Sequence, residues 1–137
     1  MTGRERRVVI TGLGAVTPCG NSPEELWNSL MAGKHGFELA PWFGDQEPDN
    51  LGVVARVKNF DASELFDKKE LRRNDVIVQY AVYAAMQALK DAGTDFKDID
   101  PFRAGVVIGS GIGGIYTTEE EMLNYHNRGN KRVSVFT

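Results

Sequence analysis

Apolar residues along this chain fall into contrasting patterns, and each predicts a different element. Arg7-Val8-Val9-Ile10-Thr11 has no polar alternation, which predicts a strand covered on both faces, and it runs into a turn at Gly12-Leu13-Gly14. Residues 104–115 repeat the arrangement. The short β-branched run Gly105-Val106-Val107-Ile108 predicts a strand, the glycines at nearly every other position after it predict a tight turn, and a helix follows from Thr117 to His126. Helical spacing governs two other stretches. Asn21-Ser22-Pro23-Glu24-Glu25 predicts a helix start, with Ser22 as N-cap, Pro23 at the first helical position and Glu25 completing a capping box; Leu26, Trp27, Leu30 and Met31 then share a face and Gly33 ends it. From Asp75 to Ala92 apolar residues occupy nearly all sides, with Gly93 as C-cap, which predicts an interior helix of a larger multilayer body.

The remaining segments connect these elements. Residues 34–50 carry Gly36, Pro41, Gly44 and Pro48 and read as a long irregular connection, residues 51–57 as a short strand, and residues 61–64 as a turn entering a short helical segment. Asp95 to Asp100 is an acidic linker, and residues 131–137 end on apolar positions with no cap or polar tail, as if the fold continued. The order of elements predicts an α/β class, with residues 8–10 and 105–108 as neighbouring parallel strands joined by right-handed crossovers.

Composition narrows the function. The 137 residues suffice for one domain, and 16 Lys and Arg against 19 Asp and Glu give a net charge of −3, which argues against binding nucleic acid. One cysteine, Cys19, makes no internal disulfide, and with two histidines it is a thin supply for a metal site. No apolar run is long enough for a signal-peptide core or a membrane span, so the expectation is a soluble, cytoplasmic protein. Against the acidic background, Asp67-Lys68-Lys69-Glu70-Leu71-Arg72-Arg73-Asn74 is a basic cluster; as a helix it puts Lys69, Arg72 and Arg73 on one face. A solvated surface turn and a docking patch both fit that pattern.

Gly109-Ser110-Gly111-Ile112-Gly113-Gly114 satisfies the dinucleotide fingerprint between a predicted strand and helix. The acidic residue expected about twenty positions later is replaced by Lys131 and Arg132, which suit only a phosphorylated ribose. Cys19 sits in a turn before a helix with nothing to place a base beside it; His35 and His126 read as ordinary surface or capping residues, and Glu119-Glu120-Glu121 as favourable charge in the first turns of a helix. No catalytic constellation is complete.

Three stretches together carry a resemblance: residues 7–18, the segment Lys69–Asp75 leading into the apolar helix, and Ile108–Gly114. In order and spacing they resemble the N-terminal part of the beta-ketoacyl-ACP synthase II family of condensing enzymes, and the likeness covers essentially all 137 residues. It implies a thiolase-like fold, the N-terminal part of a helix/sheet/helix/sheet/helix stack, with residues 1–137 ending before the catalytic cysteine. It implies a homodimer that elongates fatty acids by decarboxylative Claisen condensation of acyl-ACP with malonyl-ACP, with no cofactor. The family's nucleophilic cysteine, two histidines and lysine match nothing here, Cys19 included, so no catalytic residue is expected in this chain. Binding residues do match: Lys69, Arg72 and Arg73, with Lys131 and Arg132, correspond to the patch that receives acyl carrier protein, and Gly111 and Ile112 to the acyl pocket near the dimer interface. A non-catalytic chain-length-factor subunit is the alternative within the fold; an NADP-binding oxidoreductase is the alternative outside it.

Overall fold

The computed structural model describes residues 7–40, 52–130 and 133–134. The chain divides into two units, residues 1–60 with 84–95 and residues 61–83 with 96–137. One long helix contributes its first half to the second unit and its second half to the first.

In the first unit, helix α1 spans Pro23–Met31 and starts as its sequence predicts: Ser22 Oγ accepts the Glu25 amide at 3.1 Å. The Glu25 carboxylate reaches back one residue further than a standard box and accepts the Asn21 amide at 2.7 Å. Ala32 closes the helix, and Gly33 follows with a φ of 64°, a backbone state that glycine adopts without strain. Strand β1, Phe37–Ala40, then pairs antiparallel with β2, Gly52–Ala55, in the register Phe37 to Ala55 and Ala40 to Gly52. The first strand lies where a loop is expected, and Ala40 is fully buried. Glu38 receives Lys58 at 2.9 Å and also Arg56, and hydrogen bonds from those two cations hold its carboxyl below the ordinary glutamate value.

Helix α3, Val76–Ala92, supplies the other wall of this unit. The chain at Gly12–Ala15 lies against it so closely that a Cβ at Gly12 would collide with the Ala88 carbonyl, and one at Gly14 with the Ala84 carbonyl. Alternate amides of this segment bond to helix side chains: Leu13 N–H to Asp91 at 2.9 Å and Ala15 N–H to Gln87 at 3.1 Å. Gln87 in turn donates to the Asn21 carbonyl, and Asn21 to the Lys58 carbonyl at 2.7 Å, which ties the turn before α1 to the chain after β2.

In the second unit, α2 is Lys68–Arg73, α3 begins at Val76, a 3₁₀ turn spans Pro101–Arg103, and α4 runs Ile115–Arg128. Asp100 caps the 3₁₀ turn by accepting the Phe102 amide at 3.0 Å. Helix α4 starts two residues earlier than its sequence predicts, so Glu119–Glu121 fall beyond its first turn and do not act as the charge there. Glu121 instead accepts the Ser134 amide at 2.7 Å.

Two expectations are corrected among the described residues. Neither Val8–Ile10 nor Gly105–Ile108 belongs to a sheet; the one sheet is the β1–β2 pair. An apolar run marks a segment that gains by burial, but a strand exists only where a neighbour completes its ladder, and none of the described residues does so. Val8 and Val107 are accordingly more than 90% exposed. Helix α3 keeps its predicted extent; within this chain none of its residues is fully buried, and Val76, Val78 and Met86 are exposed.

Candidate functional site

The basic cluster is a helix, and its sequence explains why. Asp67 Oδ1 accepts the Lys69 amide at 2.7 Å and the Glu70 amide at 2.8 Å, while the Glu70 carboxylate accepts the Asp67 amide at 2.9 Å, a complete capping box. Six residues are too few for a stable isolated helix, so this cap and the packing that follows hold it in place. Lys69, Arg72 and Arg73 are all exposed on it, and the two arginines in its last turn complement the negative end of the helix dipole. The structure thus brings three of the predicted docking cations together. Lys131 and Arg132 lie outside the described residues.

Behind α2 the chain turns a corner at Asn74-Asp75 and enters α3. Gln79 Nε2 donates to the Leu71 carbonyl at 3.3 Å and the Asn74 carbonyl at 3.0 Å, pairing groups that a helix end leaves open. Asp75 precedes α3 and accepts the Ile77 amide at 3.1 Å. Its second oxygen accepts the Thr117 amide at 3.0 Å and the Thr117 hydroxyl at 2.7 Å, in the first turn of α4. Partial burial works against the charge on Asp75, but the bonds from the Thr117 hydroxyl and amide and from α3 amides outweigh it and hold the carboxyl below the ordinary aspartate value. A cleft of about 280 Å³ opens beside this junction, with Arg72, Arg73, Asn74, Asp75, Tyr116 and Thr117 among its lining.

The glycine turn leads into α4. Ser110 Oγ accepts the Gly113 amide at 2.9 Å, and Gly113 has a φ of 76°. Gly111 is exposed, with open space where a Cβ would point, and Ile112 is 77% exposed. An apolar side chain held outward on a turn is available to an apolar ligand or partner. The dinucleotide alternative meets an electrostatic obstacle at this turn. Such sites place a pyrophosphate on the helix N-terminus, and at α4 the Thr117 amide is already taken by the Asp75 carboxylate, which would repel a second anion.

The other sequence candidates stay apart from chemistry. Cys19 is half-buried in a closed turn in which Thr17 and Gly20 exchange backbone hydrogen bonds of 2.9 and 3.1 Å, and its own amide bonds to the Thr17 hydroxyl. The His35 ring packs against Phe37 at a centroid distance of 5.8 Å. Among the described residues no group of three or more His, Cys, Asp or Glu side chains is placed to hold a metal ion, and no helix is long and apolar enough to cross a membrane. Sequence reasoning missed Asp75, Gln79 and Thr117 as site-building residues. The position of Asp75 directly before an apolar helix was the available signal, since aspartate is a favoured N-cap.

Comparison with known proteins gives the family and the fold. The family described as beta-ketoacyl synthase, N-terminal domain, matches residues 5–137. A 3-oxoacyl-[acyl-carrier-protein] synthase 2 of Staphylococcus aureus (strain N315) is 41% identical over 133 residues, covering 97% of this chain and 32% of the relative. Among solved structures, a type II polyketide ketosynthase in complex with its acyl-carrier protein superposes with a TM-score of 0.76 at 24% identity, over 96% of this chain and 34% of that one. The ishigamide ketosynthase/chain length factor does so with a TM-score of 0.76 at 26% identity, over 96% and 32%. The chain therefore spans about a third of the length of the relatives it matches, and it has the α/β, thiolase-like fold of ketosynthases over that part. On the family match and the 41% identity together, this chain belongs to the beta-ketoacyl synthase family, whose N-terminal domain its residues 5–137 match.

Proposed function

We propose that the protein bearing this chain elongates fatty acids by decarboxylative Claisen condensation of acyl-ACP with malonyl-ACP. The observation that carries the reading is the 41% identity, over nearly the whole chain, to a 3-oxoacyl-ACP synthase 2. In that reaction an acyl group leaves the carrier thiol for an enzyme cysteine; malonyl-ACP then loses carbon dioxide, and the carbon that lost it attacks the new thioester and frees the cysteine. Covalent capture splits one difficult step into two. No residue of this chain, Cys19 included, is assigned to those bond changes.

The chain's own part is binding. Lys69, Arg72 and Arg73 on α2 receive the acidic carrier, with Lys131 and Arg132 as a second piece of the patch. Local cations on an acidic protein steer an anionic partner and raise its association rate. Gly111 and Ile112 line the acyl pocket, where a branched aliphatic side chain suits a hydrocarbon tail. The enzyme works as a cytoplasmic homodimer, the state that the family resemblance implies.

The test is made on the full-length protein with acyl-ACP and malonyl-ACP, following 3-oxoacyl-ACP and released carbon dioxide. Arg72→Glu with Arg73→Glu is expected to lower kcat/KM for acyl-ACP at least tenfold and for a short acyl-CoA less than twofold. Equal losses for both donors would make the cluster structural. The solved ketosynthase/chain length factor favours one second reading, a non-catalytic subunit of the same fold. Absence of acyl transfer to any cysteine of the full-length protein would select it.

A further inference from the structure

We propose that Asp75 is a positioning residue whose two carboxylate oxygens tie the start of α3, directly after the carrier-docking helix, to the acyl-side turn, an inference that rests on the functional reading above. Oδ1 accepts the Ile77 amide in the first turn of α3, and Oδ2 accepts the amide and the hydroxyl of Thr117 in the first turn of α4. These partners lie on different helices, and Thr117 is 42 residues further along the chain. Gly114 permits the approach: a Cβ there would stand 2.9 Å from Asp75 Oδ2. From the other side, Gln79 holds the Leu71 and Asn74 carbonyls at the end of α2. Three helix ends therefore meet at one carboxylate and one carboxamide.

The consequence follows from where the binding residues stand. Arg72 and Arg73 immediately precede this corner, and Ile112 lies on the turn that Thr117 anchors, five residues before it. Asp75 thus seats the acyl-contacting turn against the start of α3, and Gln79, in the same first turn of α3, holds the end of the docking helix. An ionised acceptor suits this role, because its hydrogen bonds are roughly twice as strong as neutral ones. A serine at the same position would still cap α3, but with a single oxygen one bond closer to the backbone it would not reach Thr117.

Asp75→Ser and Thr117→Val in the full-length protein test the tie, with Thr117→Ser as the conservative variant that keeps the hydroxyl. Amide hydrogen exchange and the ratio of kcat/KM for a long against a short acyl-ACP are the readouts. Asp75→Ser and Thr117→Val are expected to speed exchange over residues 113–118 at least tenfold and to change the donor ratio at least fivefold; Thr117→Ser stays within twofold of wild type on both. The milder Thr117→Val keeps the α3 cap and decides the matter where Asp75→Ser fails to fold. Unchanged exchange in Thr117→Val overturns the tie, and faster exchange with an unaltered donor ratio overturns the positioning role. A wild-type protein that condenses no donor overturns the functional reading instead, and exchange alone then decides the tie.

Discussion

Two glycine-rich segments of this chain look alike on paper and differ in what surrounds them. At Gly12-Leu13-Gly14 each glycine faces a backbone carbonyl of α3, so the missing side chains are a condition of packing. At Gly109–Gly114 only the end of the run is constrained: Gly113 by its positive φ and Gly114 by Asp75, while Gly109 and Gly111 face open space. Glycine spacing alone therefore does not mark a ligand turn. The distinguishing fact is whether something already fills the space the glycines clear, and here the first turn is filled by a helix and the second is left open.

The comparison breaks first at Gly14. Gly14→Val is expected to destabilise the protein by about 3 kcal/mol, the upper range for forcing bulk into a packed contact, because the obstacle is the Ala84 carbonyl and a backbone atom cannot swing aside. Urea denaturation of the full-length protein measures it, and unchanged stability would mean the segment does not lie on α3.

A smaller effect should appear in acid. Bonds from Thr117 and from α3 hold the Asp75 carboxyl below its ordinary value near 3.9, so its contribution to stability is present at neutral pH. That contribution is lost as pH falls from about 4 through the depressed folded value, because the unfolded chain takes up the proton first. Asp75→Asn should lack this component and show a shallower loss of stability below about pH 4; identical acid slopes for the two proteins would contradict the depression.

The sequence made some of this legible and not the rest, for a physical reason. Helix α1 is written out in neighbouring residues, Ser22, Pro23 and Glu25, whose local hydrogen bonds define its start; the equally local capping box of Asp67 and Glu70 at the start of α2 is a signal that the reading as a basic cluster left unused. The cation face of α2 followed from spacing. Strand β1 was invisible because four residues between Gly36 and Pro41 acquire a strand only from β2 and from the Glu38 contacts to Arg56 and Lys58. Val8–Ile10 and Gly105–Ile108 erred the other way: their apolar character was plain, but a ladder is a relation between segments and no local pattern reports it. Asp75 was half legible, since its bond to Ile77 is local and its bond to Thr117 is not.

The smallest effect sharpens the comparison most. Gly111→Ala adds one methyl to a turn where nothing stands within 4 Å of the new atom, and Gly111 is not among the glycines with positive φ. Stability should therefore stay within about 0.5 kcal/mol of wild type, as for an exposed position free of special geometry, in contrast to the collision at Gly14. If the open space is the acyl pocket, the same methyl should lower kcat/KM for long acyl-ACP donors severalfold and leave short donors unchanged, because only a long tail extends past Ile112. A stable variant with an unaltered donor profile would remove Gly111 from the pocket. A destabilised one would mean that the second turn, like the first, is already filled.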